Sequence, residues 1–452
     1  MPQTPHPVWL KLLPPQFRRK FDHKKHLIPI ISNSFWLILD KLVRMLLGLL
    51  VGVWIARYLG PAQYGELVYI LAYIAIFQAV TTLGMDNLVV RNISRDKYQA
   101  GKVLGTAFTL RIISGFLCWT IAIGVMAILN GWNSSSVFIT ALSGFTLIFQ
   151  AADTIDLWFQ SQSQSRRTVI AKLSAYLLSN GARVTLIIME APLIAFAAII
   201  ALEAIAIAIG LIIAYKRFPT NSRWVYVSQQ GKSLIAESWP LIISGLSIVA
   251  YMRIDQIMIK EMLGEKELGI YAAVLPFATM WQFIPMTLSA SLAPMVARKK
   301  FESEQAYMAL LIKIFRLYAI FGWIVCIPTI LLSPFLINSL LGPAYSTGST
   351  ALSIYVLTNI FINLGLAQTL WLINEGKSKL SMYKTIIGAV ICIGGNLLLI
   401  PRIGLSGVAI TAVLAQFGSA VLANLILAPE IFRIQISTLF LLPLKSKQPT
   451  DK

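Results

Sequence analysis

Apolar segments long enough to cross a lipid bilayer recur along the whole chain. A helix rises about 1.5 Å per residue and the hydrocarbon core is about 30 Å thick, so about 20 mostly apolar residues suffice for one crossing. The sequence contains twelve such segments, which predicts an all-α polytopic membrane protein with twelve transmembrane helices. We place them at residues 34–58, 65–88, 103–129, 136–159, 168–188, 192–215, 235–259, 268–292, 306–332, 348–373, 379–400 and 405–428.

Lys and Arg are distributed unevenly between the two sides of the membrane that these segments define. Of the 38 Lys and Arg, 25 fall in the two terminal tails and in the loops on their side, and the opposite side holds only Arg57, Lys260, Lys266 and Arg402. Short loops rich in these residues stay in the cytoplasm. The asymmetry therefore predicts a multi-pass protein with both termini cytoplasmic.

Composition and histidine placement exclude several other classes. Hydrophobic residues make up 57% of the chain and charged residues 13%, whereas about a quarter of a soluble domain is charged. The net charge of +19 is dispersed over many loops, so we expect membrane lipids and no nucleic acid as partners. All three histidines, His6, His23 and His26, lie in the N-terminal tail. The helices therefore offer no histidine ligand, and we predict no metal and no cofactor.

A short glycine pattern recurs after the first and after the seventh apolar segment. Leu-Gly, four residues and a further Gly occur at residues 59–65 and again at residues 263–269. Glycine allows the positive backbone angles that reverse a helix within a few residues. Since six crossings return the chain to its starting side, we expect two six-helix lobes related by a pseudo-twofold axis along the membrane normal.

The expected domain organisation follows from this repeat. It comprises a basic cytoplasmic N-terminal tail at residues 1–33, an N-lobe at 34–215, a cytoplasmic inter-lobe linker at 216–234, a C-lobe at 235–428 and a cytoplasmic C-terminal tail at 429–452. Two such lobes can rock about a site near the bilayer midplane, which suits alternating access.

Motifs at five places on this map match one known family. They occupy residues 56–65, 84–91, 255–271, 341–345 and 396–409. In sequence and order they resemble the Wzx-like oligosaccharide flippases of the multidrug, oligosaccharidyl-lipid and polysaccharide exporter (MOP) superfamily. The resemblance covers about residues 30 to 430.

The resemblance implies a fold, a substrate and partners. The fold would be a MATE/MOP-like pair of six-helix lobes around a cationic central cavity. The substrate would be an undecaprenyl-pyrophosphate-type glycolipid carrying a short oligosaccharide, turned from the cytoplasmic to the outer leaflet of the bacterial cytoplasmic (inner) membrane for surface polysaccharide biosynthesis. A polysaccharide polymerase and chain-length proteins would be its partners.

Two basic residues in the first apolar segment are the leading candidates for substrate binding. A charge at mid-bilayer costs at least about 2.5 to 3.5 kcal/mol, so such residues face a cavity, find a partner or extend to the interface. Lys41 and Arg44 lie three positions apart on one helix face, and we interpret them as a pyrophosphate clamp because Arg presents a planar fork of donors to phosphate oxygens. The alternative is that Asp40 pairs with Arg44 while Lys41 extends to the interface.

Three further arginines would extend the cationic surface. Arg183 and Arg253 lie in the outer half of the bilayer, where a cation has no topogenic purpose, although Arg253 has the alternative of pairing with Asp255. Arg91 satisfies the positive-inside rule at the end of the second segment, and its family motif makes it an entrance residue. Nearer the inner face, three more basic residues either line the entrance or extend to the aqueous interface. They are Arg111, Lys313 and Arg316.

Carboxylates inside the segments are candidates for coupling transport to an ion. Glu203 lies near the centre of the sixth segment among Ala and Ile. It is either a proton or cation site or a structural partner of Arg183. Asp255 and Asp40 are the other coupling candidates.

We therefore interpret the chain as a flippase and not an enzyme, with two alternatives left open. An ion-coupled small-molecule (multidrug) exporter of the same superfamily would want acids and aromatics in its cavity rather than cations. A membrane glycosyltransferase or polysaccharide polymerase should carry a sizeable outer loop with paired carboxylates. The outer loops here are short and nearly free of acids.

Overall fold

The computed structural model describes residues 28–218, 223–440 and 442. These residues form helices joined by short connections, and they contain no strand. The prediction of an all-α protein is confirmed. Most of the predicted N-terminal tail and the end of the predicted C-terminal tail, residues 1–27 and 443–452, lie outside the described residues.

The first half of the chain contains eight α-helices. They are α1 (Ile28–Thr81), α2 (Asp86–Arg95), α3 (Ala100–Asn130), α4 (Ser135–Ser143), α5 (Phe145–Phe149), α6 (Asp153–Ser161), α7 (Arg166–Ile188) and α8 (Leu193–Lys216).

The second half contains nine more, some of them separated by short 3-10 turns. They are α9 (Ser228–Leu263), α10 (Glu265–Thr279), α11 (Phe283–Glu302), α12 (Glu304–Leu340), α13 (Gly348–Tyr355), α14 (Thr358–Asn374), α15 (Ser378–Phe417), α16 (Asn424–Leu427) and α17 (Pro429–Leu439). A π-helix at Gly418–Leu422 connects α15 to α16.

Nine helical stretches within the described residues are long and apolar enough to cross a membrane. This confirms a multi-pass membrane protein, whereas the number twelve stays a prediction. Two of the nine stretches contain non-helical backbone, at Gly60 and at Ile403 and Gly404. Helix α7 is not among the nine; its 23 residues include four Arg and Lys.

The chain forms two compact units. The first comprises residues up to 55 and 70–252, and the second comprises 56–69 and the residues from 253 onward. The core of the first unit contains fully buried Met85, Leu104 and Phe159. The predicted lobes at 34–215 and 235–428 divide the chain elsewhere, and they stay a prediction.

The first unit includes the middle of the chain up to residue 252, and the second unit includes the early segment 56–69. In the first unit, the Val225 amide donates to the Gly101 carbonyl oxygen (3.3 Å) and the Val227 amide donates to Thr106 Oγ1 (3.0 Å). This part of the predicted linker is therefore bound to α3. In the second unit, the Tyr345 hydroxyl donates to the carbonyl oxygen of Ala56. Burial raises the pKa of the Tyr345 phenol, so this group remains a hydrogen-bond donor at physiological pH.

Large apolar side chains cover much of the helix surface. Leu178, Ile188, Leu331 and Ile426 are each more than 70% exposed, with Ile426 at 84%. A water-soluble monomer rarely exposes contiguous apolar area on this scale, whereas helices in a bilayer present such side chains to lipid.

The segment after residue 428 differs from the predicted tail. Helix α17 buries Ile431, Ile434 and Leu439, and the Leu439 carbonyl oxygen accepts a hydrogen bond from Trp323 Nε1 (3.1 Å). Its 11 residues are too few to cross the bilayer, so hydropathy alone does not reveal the helix.

Candidate functional site

Arg44 and Asp40 form an ion pair along one face of α1. Arg44 Nε donates to Asp40 Oδ1 at 2.9 Å, and the two side chains are 28% and 19% exposed. This is the pairing that sequence analysis left open beside the clamp. Asp40 occupies only Nε, so the two terminal nitrogens of the guanidinium have no hydrogen-bond partner among the described residues. These two terminal nitrogens can donate side by side to two phosphate oxygens, which is a bidentate contact.

Tyr176 of α7 holds Arg44 from the other side. The Arg44 guanidinium carbon lies 4.6 Å from the Tyr176 ring centroid, in a cation-π arrangement. The Tyr176 hydroxyl donates to the Arg44 carbonyl oxygen at 3.1 Å. Gly48 permits this approach, because a Cβ atom there would lie 3.1 Å from the same hydroxyl.

A second ion pair joins α7 to α8. Arg183 Nη2 donates to Glu203 Oε2 at 2.8 Å, and Ser179 Oγ donates to the same oxygen at 2.6 Å. Both charged side chains are less than 20% exposed. The structural pairing of Glu203 with Arg183, one of the two readings of the sequence, is therefore present. Both residues also interact electrostatically with Tyr176.

We call Asp40, Arg44, Tyr176, Arg183 and Glu203 the Tyr176 cluster. Lys41 adjoins it in sequence, is exposed, and has no carboxylate oxygen within 4 Å among the described residues. The cluster and Lys41 carry three cations and two carboxylates, so their net charge is positive. All of these residues belong to the first unit.

The remaining basic candidates of the first unit lie in different surroundings. Arg91 Nη2 donates to Glu237 Oε1 at 2.7 Å, and both side chains are about half exposed. Arg111 is only 3% exposed, donates to the Thr82 carbonyl oxygen and forms an ion pair with Asp86. Arg111 is therefore buried and paired with a half-exposed carboxylate, and its place at the entrance or the interface stays a prediction.

In the second unit, the candidate residues do not form one cluster. Arg253 is exposed and donates to Gln256 Oε1 (3.4 Å), not to Asp255. Asp255 Oδ2 instead accepts a hydrogen bond from the buried Tyr271 hydroxyl at 2.9 Å. The alternative pairing of Arg253 with Asp255 is thus replaced by two separate hydrogen bonds. Two exposed basic residues of α12 have no ion-pair partner among the described residues. They are Lys313 and Arg316.

Sequence analysis missed a buried cation on α15. Lys384 is 8% exposed and donates to Gln368 Oε1. Gln368 Nε2 donates to Asn424 Oδ1 (2.7 Å), and Asn424 Nδ2 donates to Gln435 Oε1 (2.7 Å). No carboxylate of the described residues lies within 4 Å of Lys384. The available signal was the polar residues on three otherwise apolar segments and on the stretch that follows them, but nothing in the sequence indicates that they meet.

Solved structures of membrane transporters share this fold. An inward-facing MATE multidrug transporter of the MOP superfamily matches with a TM-score of 0.70 and 15% identity, over 87% of this chain and 96% of its own. The lipid II flippase MurJ, in an inward closed conformation, matches with a TM-score of 0.64 and 13% identity, over 89% and 90% of the two chains. A MOP superfamily transporter from Pyrococcus furiosus, described with a binding pocket of reverse polarity, matches with a TM-score of 0.61 and 15% identity, over 90% and 96%.

The fold is that of MATE and MOP superfamily membrane transporters, and two family models match the sequence. One family model, described as polysaccharide biosynthesis protein, matches residues 30–300, and the MatE model matches residues 240–398. Since the first covers more than half of the sequence, the chain belongs to the polysaccharide biosynthesis protein family. A search of curated proteins finds no match. The resemblance is confirmed at the level of the superfamily, and the assignment to the Wzx-like branch stays a prediction.

Proposed function

We propose that this transporter is a flippase for a polyprenyl-pyrophosphate-linked oligosaccharide in the bacterial cytoplasmic membrane. The observation that carries the proposal is the Tyr176 cluster, which together with the adjoining Lys41 is net positive and in which the terminal nitrogens of Arg44 have no partner among the described residues. A pyrophosphate presents several anionic oxygens, which match a guanidinium fork beside a second cation. Membership in a polysaccharide biosynthesis family supports a glycan-bearing substrate.

The proposed transport route follows the predicted topology. The headgroup enters from the cytoplasmic leaflet past Arg91, is bound by Lys41, Arg44 and Arg183, and leaves toward the outer leaflet past Arg253. Lys313 and Arg316 provide further positive charge at the entrance. The polyprenyl tail stays in lipid, alternating access exposes the headgroup to one side at a time, and both termini are cytoplasmic. A polysaccharide polymerase and chain-length proteins use the product.

The direction of transport would come from an ion gradient, from the membrane potential or from consumption of the product outside. Asp255, Asp40 and Glu203 are the candidate carboxylates for ion coupling, and their partners favour Asp255. Asp255 has Tyr271 as its hydrogen-bond donor, whereas Asp40 and Glu203 are each paired with an arginine. Of the three, Asp255 alone has no arginine at ion-pair distance among the described residues.

The proposal is tested by removing the clamp in reconstituted vesicles. We expect Lys41→Ala with Arg44→Ala to abolish flipping of a polyprenyl-pyrophosphate-linked oligosaccharide, while Arg44→Lys keeps part of the rate because it retains charge without the fork. Lys266→Ala is the matched control, since Lys266 is exposed in the first turn of α10. If the double variant flipped the substrate at the wild-type rate with unchanged protein level, Lys41 and Arg44 would not form the pyrophosphate clamp.

The MatE match to residues 240–398 favours one second candidate, an ion-coupled small-molecule exporter. This candidate predicts that the vesicles accumulate a cationic dye against its gradient. It also predicts that Lys41 and Arg44 are dispensable, because cationic substrates are repelled by a positive site. Dye transport that persists in the double variant would favour the exporter over the flippase.

A further inference from the structure

The ion pair of Asp40 with Arg44 suggests how a bound phosphate is released. The Asp40 carboxylate accepts a hydrogen bond from Arg44 and is the anion that Arg44 contacts when no substrate is present. Both side chains are partly exposed, at 19% and 28%. A phosphate oxygen approaching the fork can therefore reach the same guanidinium that Asp40 holds.

We propose that Asp40 is an exchangeable counterion, displaced from Arg44 Nε when the pyrophosphate binds and returned to it when the substrate leaves. This inference rests on the proposed function and assigns Asp40 as a positioning residue for substrate release. No covalent step is involved. One charge-assisted hydrogen bond, Arg44 to Asp40, is exchanged for another, Arg44 to phosphate.

The geometry of the arginine supports exchange in two steps. Asp40 occupies one of the donor nitrogens, and the terminal pair has no partner among the described residues, so phosphate can bind the terminal nitrogens before Nε is given up. Tyr176 fixes the guanidinium plane during this exchange, because its ring lies 4.6 Å from the guanidinium carbon and its hydroxyl bonds to the Arg44 backbone. The fork therefore need not reorient while its partner changes.

Exchange explains why a carboxylate lies beside a site for anions. A cation without a counterion in this partly buried place would bind pyrophosphate tightly and release it slowly, since most affinity differences arise in dissociation. A neighbouring carboxylate weakens binding by a modest factor, because partly exposed ion pairs contribute little free energy each. It restores the empty site as the substrate departs. Transport requires this balance, because a site that binds the pyrophosphate tightly when open to either side of the membrane releases it slowly and lowers turnover.

The proposal is tested with full-length protein in lipid nanodiscs, using a sugar-free polyprenyl diphosphate as the probe. We expect Asp40→Asn to lower the Kd by about three- to fivefold, the size of a partly exposed ion pair. In flipping assays the same variant should lower KM and turnover together, since release becomes slower. A merely structural role for Asp40 would instead weaken binding or leave the Kd unchanged.

Two further variants keep the result interpretable. Asp40→Glu retains the charge and should keep a Kd close to wild type; tightening equal to that of Asp40→Asn would overturn the exchange. An unchanged Kd in Asp40→Asn, together with weaker binding in Arg44→Ala, would overturn the exchange and leave the clamp intact. Wild-type binding in Arg44→Ala would instead overturn the clamp of the proposed function.

Discussion

Gly65 and Gly269 lie backbone to backbone in the second unit, and their contacts are reciprocal. A Cβ atom at Gly65 would lie 1.8 Å from the Glu265 carbonyl oxygen, and one at Gly269 would lie 1.8 Å from the Pro61 carbonyl oxygen. Reciprocal contacts of this kind are what a local two-fold relation between two helical segments produces. The two glycines are the final residues of the repeated pattern in the sequence.

The two glycines of each repeat have different functions. Gly60 and Gly264 have φ angles of 71° and 92°, as expected for residues that redirect the chain. Gly65 and Gly269 lie within α1 and α10 and are not among the glycines with positive φ. The second glycine of each repeat therefore serves close helix approach, and the expectation of a positive angle was right only for the first glycine.

Substituting either contact glycine should destabilise the protein. We expect Gly65→Ala and Gly269→Ala each to lower the free energy of unfolding by about 1–3 kcal/mol, the usual cost of overpacking. Gly394→Ala is the control, since nothing lies within 4 Å of a Cβ atom there. In that open helical position alanine should be neutral or stabilising by up to about 1 kcal/mol. Thermal unfolding in detergent measures all three, and equal midpoints for Gly65→Ala and Gly394→Ala would contradict the contact.

Membrane topology can be tested with two serines on exposed surfaces. Ser135 begins α4 and Ser163 lies between α6 and α7. We expect Ser135→Cys to react with an impermeant maleimide in intact cells, and Ser163→Cys to react only after permeabilisation. Native Cys118, Cys326 and Cys392 are buried and should contribute little background. Labelling of Ser163→Cys alone in intact cells would invert the predicted orientation.

Replacing the Glu203 carboxylate tests whether it couples transport to protons. The carboxylate is bound by Arg183 and Ser179 at 2.8 Å and 2.6 Å, as a structural partner would be. We expect Glu203→Gln to lower the flipping rate but to keep the shape of its pH profile, because the amide oxygen can still accept both bonds. A flat profile in reconstituted vesicles would identify Glu203 as the coupling group. Asp255→Asn is the companion variant, since Asp255 is not arginine-paired.

In the buried Lys384 network, we expect substitution of an amide side chain to lower stability and substitution of the lysine to be tolerated. We expect Lys384→Met to leave the unfolding midpoint unchanged or higher, because a buried charge without a carboxylate partner is costly. We expect Asn424→Ala to lower the free energy of unfolding by about 1–3 kcal/mol for each buried group left unsatisfied. Exposed Lys379 on the same helix provides the control Lys379→Met. A large loss of stability in Lys384→Met would show that the cation itself holds the four segments together.

Local sequence patterns were sufficient for several features of the fold. Apolar segment length predicts membrane helices because the bilayer thickness sets how many residues must be apolar. The Asp40 and Arg44 pairing was foreseen as an alternative, since residues four apart share a helix face whatever the rest of the chain does. The turn at Gly60 was likewise predictable, because it depends on the backbone freedom of one residue.

Other features were decided only by tertiary structure. Tyr176 meets Arg44 across 132 residues of sequence, and the buried Lys384 donates to Gln368, which Asn424 links in turn to Gln435. Hydropathy and charge count give each residue's preference for lipid or water, but not which helices pack together. Whether an intramembrane charge faces a cavity, pairs with an acid or is enclosed by amides depends on that packing, because its desolvation is offset only by the partners that the fold places beside it.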